Sequence, residues 1–275
     1  MENQLMNSSY QPKIILCLPT LGQYTKEYLI SLMTTITPQN PFVGFIITET
    51  SLLPFSRNQC IKLAYEKHPD LTHIIFIDDD MTHFGLWHIA KLVQDDKDIV
   101  SAIMTFRSPP YSIVGSFDDN SKITEYCENK QLVRAHYTGM AFTLIKREVL
   151  DALKEETHNG PIWFTMDREP RKSFENEKLE FIDDLIMDYQ GKDTKVPKSL
   201  RKTLEEAIAF GQTSHIGTDI SGEDISFCNR AKKLGFEVWI DCEVIVSHVG
   251  GDIPFNICNQ HQYKEAAECK LQIVS

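Results

Sequence analysis

Short apolar runs alternate with amphipathic stretches through the first hundred residues. Runs rich in β-branched residues predict buried strands, and stretches with apolar positions every three or four residues predict helices. The predicted strands are 13–18, 42–48, 74–77 and 99–104, and the predicted helices are 24–36, 57–67 and 84–94. This alternation is typical of βαβ units, so it predicts an α/β fold with a Rossmann-like, mostly parallel sheet flanked by helices.

The helix predicted at 57–67 has a candidate start signal. Ser56 can cap its first turn, and Gln59 follows three residues later, which is the spacing of a capping box. The sequence therefore predicts that the helix begins immediately after Ser56.

The pattern changes after residue 105. Three strand-like pieces, at 123–126, 132–137 and 141–145, predict antiparallel additions to the sheet, and a helix is expected from Lys146 onward. Residues from about 155 to 215 are rich in charge, with helical patterns at 175–189 and 199–210. They predict a helical insertion or lid, with a solvated helical excursion as the alternative. A further helix is expected up to Leu234, where Gly235 provides a C-terminal stop, followed by a half-buried strand at 236–241.

Length and composition narrow the class of protein. The 275 residues carry a net charge of −11, which argues against broad nucleic-acid binding because such proteins usually show a basic surface. No apolar run is long enough to span a bilayer, and residues 1–11 lack the apolar core of a signal peptide. The seven cysteines are scattered and form no C-x-x-C pair, as is usual for free thiols in a reducing compartment. These features predict a soluble, cytoplasmic protein.

Three consecutive aspartates, Asp78, Asp79 and Asp80, follow the third predicted strand. In an open α/β sheet, ligands bind beyond the carboxyl ends of the strands. Three adjacent carboxylates repel one another, so a bound cation would help to keep them together. Mg²⁺ and Mn²⁺ prefer carboxylate oxygen and often bridge a protein to a substrate phosphate. The run therefore predicts either a divalent metal site or an acidic turn after the strand.

Other polar segments are expected near the same rim. Pro19-Thr20 ends the first strand, and Ser56-Arg57-Asn58 opens the second helix, where a helix N-terminus and an arginine suit an anionic ligand. Glu223-Asp224 begins a later helix, and one of these carboxylates could accept a proton from a substrate hydroxyl. His248 follows an apolar run, and its imidazole could complete a carboxylate metal site.

In this order, the segments resemble the GT-A fold glycosyltransferases, in particular the nucleotide-sugar-dependent group with a D-x-D motif. The resemblance covers about residues 13–250 and leaves 165–215 unmatched. Its pieces are residues 14–20, 56–58, 76–80, 137–141, 161–164, 222–230, 239–241 and 247–250.

The resemblance implies roles on the donor side. Asp80 would hold the Mn²⁺ or Mg²⁺ that bridges two phosphates, with Asp78 and His248 as further metal ligands. Asp78 could also reach the ribose. The residues implied in binding the nucleotide-sugar are Pro19, Thr20, Arg57, Asp78, Asp79, Thr138 and Gly139. UDP-sugars are the favoured donors, and GDP-sugars are the alternative.

It also implies roles on the acceptor side. Asp224 would be the base that deprotonates the acceptor hydroxyl in an inverting reaction, and Glu223 would contact the sugars. Trp163 and Phe164 would shape the site for a glycan or other hydroxyl acceptor. The expected arrangement is one domain, 1–275, with a nucleotide-binding half at about 13–105, a catalytic half at about 106–255 and the charged insert at about 165–215.

Three alternatives stay open. A retaining glycosyltransferase can share this fold, because an acidic pair at a helix start does not settle the stereochemistry. A nucleotidyltransferase would need a glycine- and lysine-rich loop after the first strand, and 19–22 offers one glycine. A catalytically inactive nucleotide- or carbohydrate-binding module would bind donor without turnover.

Overall fold

Two hydrophobic clusters lie on the two faces of a central eight-stranded sheet. The structure is a computed structural model that describes residues 12–36, 42–50, 52–106, 113–157, 160–165, 168–170, 218–220, 222–250 and 253–255. The chain divides into two compact units, Met1–Thr165 with Asp224–Ser275, and Met166–Glu223.

The strands and helices are as follows. The strands are β1 (Ile14–Thr20), β2 (Phe42–Glu49), β3 (His73–Ile77), β4 (Met81–Thr82), β5 (Ile99–Ile103), β6 (Gly115–Phe117), β7 (Leu132–Thr138), β8 (Phe142–Lys146), β9 (Glu155–Thr157), β10 (Gly160–Ile162), β11 (Arg168–Pro170), β12 (Thr218–Ile220), β13 (Val238–Ile245), β14 (Ser247–Gly250) and β15 (Ile253–Phe255). The helices are α1 (Lys26–Thr35), α2 (Leu53–Lys67), α3 (Leu86–Gln94), α4 (Ile123–Glu128), α5 (Arg147–Leu153) and α6 (Glu223–Lys233).

The central sheet has the order β2-β1-β3-β8-β5-β13-β7-β6. β1 is parallel to β2 and β3, and β5 is parallel to β13. β8 lies antiparallel between β3 and β5, and β7 lies antiparallel between β13 and β6. Only β7 and β8 oppose the other six strands, so the prediction of an α/β fold with a mostly parallel sheet flanked by helices is confirmed. Two of the three predicted antiparallel additions, 132–137 and 141–145, correspond to these two strands.

Alternation along the inner strands explains the two clusters. Ile15 and Cys17 of β1 face the cluster that contains residues of α2, α5 and α6. Ile14, Leu16 and Leu18 face the other cluster, with residues of α1 and α3. Because β1 and β3 are buried on both faces, their sequences are continuous apolar runs rather than alternating ones.

The predicted start of α2 is wrong by four residues. α2 begins at Leu53 with a proline in its first turn, where the missing N–H of Pro54 costs nothing. Ser56 lies inside the helix, fully buried, and its Oγ is 2.6 Å from the Thr48 Oγ1. Ser56 therefore ties α2 to β2 and does not cap the helix.

The strand predicted at 123–126 is also wrong, because this segment forms α4. A short apolar run does not by itself distinguish a strand from a helix. Asp119 accepts a hydrogen bond from the Ser121 N–H and starts a 3₁₀ turn, Asn120–Lys122, that continues into the helix. Ile123, Tyr126 and Cys127 then pack on the core at helical spacing.

The remaining predictions fall into three groups. α6 ends at Lys233, one residue before the expected Leu234, and Gly235 follows with a φ of +94°, which favours glycine. None of the described helices is long and apolar enough to cross a membrane. The helices predicted at 175–189 and 199–210 lie outside the described residues, and the described part of the second unit is the antiparallel pair β11 and β12.

Candidate functional site

Arg57 joins two segments that the sequence singled out separately. Its guanidinium lies 2.5 Å from Asp224 Oδ1 through Nη1, and 3.2 Å from Asp78 Oδ2 through Nη2. Asp78 follows the end of β3, and Asp224 lies in the first turn of α6. The Arg57 side chain is 1% exposed, whereas those of Asp78 and Asp224 are 18% and 27% exposed. The structure therefore brings these three residues together at one partly open site.

Aromatic rings surround the Arg57 guanidinium. Its central carbon lies 5.8 Å from the ring centroid of Phe76 and 5.7 Å from that of Phe164, within the range of a cation–π contact. Phe164 in turn stacks on Phe227 of α6, with centroids 4.5 Å apart. A buried cation is costly unless it is paired, and here two carboxylates and two ring faces offset the loss of water.

Asn58, the next residue of α2, holds the segment that contains Trp163 and Phe164. Its Oδ1 accepts hydrogen bonds from the Trp163 N–H, at 2.7 Å, and the Phe164 N–H, at 2.8 Å. Its Nδ2 donates to the Phe164 carbonyl at 2.9 Å, and Trp163 Nε1 donates to the Leu150 carbonyl. Both aromatic side chains are buried, and the Phe164 ring contacts the Arg57 guanidinium. Their expected contact with an acceptor stays a prediction.

The second oxygen of Asp224 is held by the backbone after β7. Oδ2 accepts a hydrogen bond from the Met140 N–H at 3.1 Å. The preceding residue must be small, since a Cβ on Gly139 would lie 2.6 Å from Val114 Cγ1 and 3.8 Å from Asp224 Oδ2. Thr138 is fully buried, with its Oγ1 2.5 Å from the Ser101 Oγ. Gly139 is thus next to the Asp224 carboxylate, whereas Thr138 belongs to the core.

Asp79 fixes the turn that follows β1. Its Oδ2 accepts hydrogen bonds from the Thr20 Oγ1, at 2.7 Å, and the Leu21 N–H, at 3.0 Å. Thr20 Oγ1 also accepts the Gly22 N–H, and Gly22 has a φ of +82°, which favours glycine. The predicted proximity of Thr20 to the aspartate run is therefore present in the structure, and Pro19 lies buried at the end of the same strand.

Asp80 and His248 lie on paired segments. The Asp80 carbonyl accepts a hydrogen bond from the Val249 N–H at 2.8 Å, and β14 pairs antiparallel with β4, placing His248 opposite Met81. His248 is buried, and its Nδ1 lies 2.6 Å from the Thr105 carbonyl oxygen. Because a carbonyl can only accept, Nδ1 carries a proton and donates it in this hydrogen bond. In the parts of the chain that the structure describes, no three acidic, histidine or cysteine side chains form a metal-binding group.

Tyr28 is a residue that the sequence did not single out. Its ring is fully buried and its hydroxyl has no hydrogen-bond partner among the described residues. Burial raises the pKa of the phenol, and the neighbouring Tyr24, Asp79 and Asp78 raise it further. A buried hydroxyl close to the aspartates is a potential donor to a ligand, and no local motif could have revealed it.

Glu223 is the first residue of α6, is half-buried, and belongs to the second unit. Its expected role toward a sugar stays a prediction.

A separate cavity of about 390 Å³ lies at the opposite end of β3. Its lining includes His73, Asp96 and Lys146, and the last two form an ion pair at 2.7 Å. Burial, assisted by the charge of Lys146, lowers the pKa of His73 to about 4. This cavity begins where β3 begins, whereas the aspartates follow its end, so it is not part of the Arg57 site.

Comparison with known proteins gives little beyond the architecture. No protein-family model and no curated protein matches the sequence. Thirty-two chains of solved structures are similar in fold. One is the crystal structure of A197 from STIV, with a TM-score of 0.46 and 13% identity over 86% of this chain and 85% of that chain. This similarity is remote, so the description of the site rests on the residues of this chain.

Proposed function

We propose that this protein is a glycosyltransferase that moves a sugar from a nucleoside-diphosphate sugar to a hydroxyl acceptor, with inversion and with Asp224 as general base. The observation that carries the proposal is the Arg57 bridge between Asp78 and Asp224. It unites the aspartate run and the acidic helix start, two segments whose order in the sequence resembles the GT-A fold glycosyltransferases.

The environment of Asp224 suits a base. One carboxylate oxygen binds Arg57 and the other binds the Met140 N–H, so the side chain is held in one orientation. A carboxylate has about four lone-pair positions, so the hydroxyl of an acceptor could also bind to one of its oxygens. The side chain is partly exposed, which gives an acceptor access. A base positioned in this way contributes roughly 10²–10⁴ to the rate.

The chemistry of Asp80 and His248 is compatible with a divalent ion. They offer a carboxylate and an imidazole nitrogen. The Thr105 carbonyl accepts a hydrogen bond from the ring and orients it, as carbonyl and carboxylate acceptors do for metal-binding histidines. Two protein ligands suffice when substrate phosphates supply others. A bound Mn²⁺ or Mg²⁺ would stabilise the negative charge on the departing nucleoside diphosphate.

The rim after β1 and β3 is where the nucleotide would bind. Asp79, Thr20 and the Leu21 N–H fix the backbone of this rim before any ligand arrives. Asp78 forms an ion pair with the buried Arg57, and its side chain remains 18% exposed. A rim that is rigid in advance loses less conformational entropy on binding.

The test is the release of nucleoside diphosphate from UDP-, GDP- and dTDP-sugars, first with Mn²⁺ and then with EDTA. Slow hydrolysis of the donor replaces transfer when no acceptor is present. Release from one donor that stops in EDTA would support the proposal and identify the sugar. No release from any donor, together with no binding of any nucleoside diphosphate in Mn²⁺, would overturn it.

A further inference from the structure

An uncovered apolar surface lies on the edge strand β2. Ile46 and Thr48 of this strand face α2, where Thr48 Oγ1 lies 2.6 Å from the Ser56 Oγ. Because side chains alternate along a strand, Phe45 and Ile47 point to the opposite face, on which α1 and α3 pack. Their exposed fractions are 54% and 47%, and none of the helices that the structure describes covers them.

α1 leans away from β2. Its buried side consists of Tyr28, Ser31 and Thr35. The Ser31 hydroxyl accepts the His83 N–H at 3.0 Å and lies 3.5 Å from Thr82 Oγ1, which fastens the helix beside β4. β4 follows β3, and β1 separates β3 from β2. The helix therefore turns its other flank toward β2.

That flank of α1 is also apolar. Leu29 and Met33 lie on the side of the helix away from Ser31, and Ile36 follows the last residue of the helix. The exposed fractions of these three residues run from 39% to 76%. We call these three residues, with Phe45 and Ile47, the β2–α1 surface. At about 150–200 Å² for a large apolar side chain, it exposes roughly 500 Å². The largest apolar patch on a monomer is typically about 300–600 Å² and often has a function.

The strand itself offers hydrogen bonds as well as apolar contact. β2 ends the strand order of the central sheet, and no strand of the described residues pairs with its outer edge. An open edge presents backbone N–H and C=O groups that another strand can satisfy. A partner that supplied both a strand and a matching apolar surface would complete the site.

We propose that this partner is a second copy of the chain, with β2 pairing antiparallel to the partner's β2 about a twofold axis. A twofold axis perpendicular to the sheet keeps the same face upward in both copies. The two α1 helices would then flank the paired strands, and Phe45 and Ile47 of both copies would lie between them. Each copy supplies what the other lacks.

The area is consistent with a specific but modest dimer. Two copies would bury roughly 1,000 Å² of apolar side-chain surface, and the backbone of the paired strands adds to this, against about 1,200 Å² for the smaller stable interfaces. We therefore expect dissociation in the micromolar range rather than an obligate dimer.

The first test is the molar mass of the full chain in solution, by light scattering or sedimentation, at about 1 to 100 µM. The expected mass at high concentration is twice 31.6 kDa. Ile47→Lys and Met33→Glu each place a charge in the interface and should raise the dissociation constant at least about 100-fold. Leu234→Glu is the matched control, since Leu234 is 55% exposed and follows α6 on the opposite face of the sheet.

Thermal unfolding of each variant should match that of the wild type at low concentration, because both substituted side chains are exposed. Amide hydrogen exchange in Phe42–Glu49 should slow as the wild-type concentration rises, and this slowing should be absent in Ile47→Lys. A wild type that stays monomeric at about 100 µM, or a dimer that both variants retain, would overturn the proposal. These readouts do not depend on catalysis, so they stand apart from the proposed function.

Discussion

Arg57 Nη1 lies 2.5 Å from Asp224 Oδ1, although the two residues are 167 positions apart in the sequence. The same guanidinium also binds Asp78 at the end of β3. One buried cation thus sets the distance between the aspartate run and the start of α6. If the protein transfers a sugar, this cation connects the side that holds the donor with the base that activates the acceptor.

We predict that the bridge couples its two carboxylates energetically. Arg57→Met removes the cation and leaves two neighbouring carboxylates unpaired, which should lower the free energy of unfolding by about 3–5 kcal/mol. In an Asp224→Asn background the same change should cost at least about 1 kcal/mol less, because one of the repelling charges is already gone. Urea denaturation of the wild type, the two single variants and the double variant measures this coupling free energy as a double-mutant cycle.

Arg134→Met provides a control for the loss of an arginine, since Arg134 is 58% exposed and pairs with Glu237 at 3.6 Å. Arg134→Met should lower the free energy of unfolding by less than about 1 kcal/mol. Additivity of Arg57→Met and Asp224→Asn within about 0.5 kcal/mol would contradict the coupling.

We predict that Asp224→Asn lowers turnover and spares donor binding. The amide keeps the size of the side chain but cannot take a proton from an acceptor, so kcat should fall by roughly 10²–10⁴ while the KM for the donor changes little. Steady-state kinetics with the donor that the hydrolysis test identifies measures both kcat and the KM for that donor. Glu125→Gln, at an exposed position of α4, should leave both unchanged. Transfer by Asp224→Asn at the wild-type rate would exclude Asp224 as the base.

We predict that Asn58 stabilises the segment that contains Trp163 and Phe164. Asn58→Ala removes three hydrogen bonds to the backbone of Trp163 and Phe164, and leaves those groups without a partner beneath Arg57. The free energy of unfolding should fall by about 2–4 kcal/mol. Asn120→Ala is the comparison, because Asn120 also accepts a backbone N–H but lies at the surface, and should cost about 1 kcal/mol or less. Equal losses in the two variants would contradict a special role for Asn58.

We predict that His248 contributes to metal affinity. His248→Ala removes the imidazole that is proposed as a metal ligand, and the Mn²⁺ concentration for half-maximal donor hydrolysis should rise at least about tenfold. His136→Ala, at a side chain that is 55% exposed, should not shift that concentration. A variant with normal Mn²⁺ dependence but a much lower melting temperature would show that His248 is a structural core residue.

We predict an unusual pH dependence from a cluster away from the site. Lys91 Nζ lies 2.6 Å from Asp95 Oδ1 and 2.7 Å from Asp241 Oδ2. Burial raises the pKa of Asp95 to about 6, with Lys91 acting against this and the charge of Asp241 adding to it. The folded state therefore binds more protons than the unfolded state between the ordinary value of 3.8 and about 6, and stability falls as the pH rises through that window.

Asp95→Asn removes this penalty. It should stabilise the protein above about pH 6, by on the order of 1–2 kcal/mol, and change little below about pH 4. Asp119→Asn should show the opposite sign, because hydrogen bonds from Ser121 hold the pKa of the exposed Asp119 below its usual value. Urea midpoints at about pH 4 and about pH 7 measure both variants, and a larger loss for Asp95→Asn at the higher pH would contradict the account.

How far the sequence reaches is clearest at α2. The apolar pattern predicts the helix and its place between β2 and β3 in the chain, because a helix that buries one face has apolar residues every three or four positions. The predicted start of α2 was wrong because Ser56 does not cap the helix but forms a hydrogen bond with Thr48 of β2. No local motif in the sequence indicates that partner. Arg57 was singled out as an anion-binding residue, yet its pairing with both Asp78 and Asp224 depends on where β3 and α6 meet.

Trp163 and Phe164 show the same limit. The sequence alone does not show whether aromatic residues in such a segment are exposed to an acceptor or buried in the core. Only the three-dimensional position of Asn58, which bonds to their backbone, shows that they are buried beneath the site. Proximity along the chain decides capping and turns, whereas proximity across the sheet decides which side chains support one another.

The most direct test of the central claim is calorimetric titration of the full chain with UDP, GDP and dTDP, with and without Mn²⁺. The account predicts that one of them binds in Mn²⁺, and that EDTA or Asp80→Ala weakens binding at least about tenfold without lowering the melting temperature. Binding that is equally strong in EDTA and in Asp80→Ala would contradict a metal-bridged diphosphate at this site. No binding of any of the three would contradict a nucleotide-sugar site as a whole.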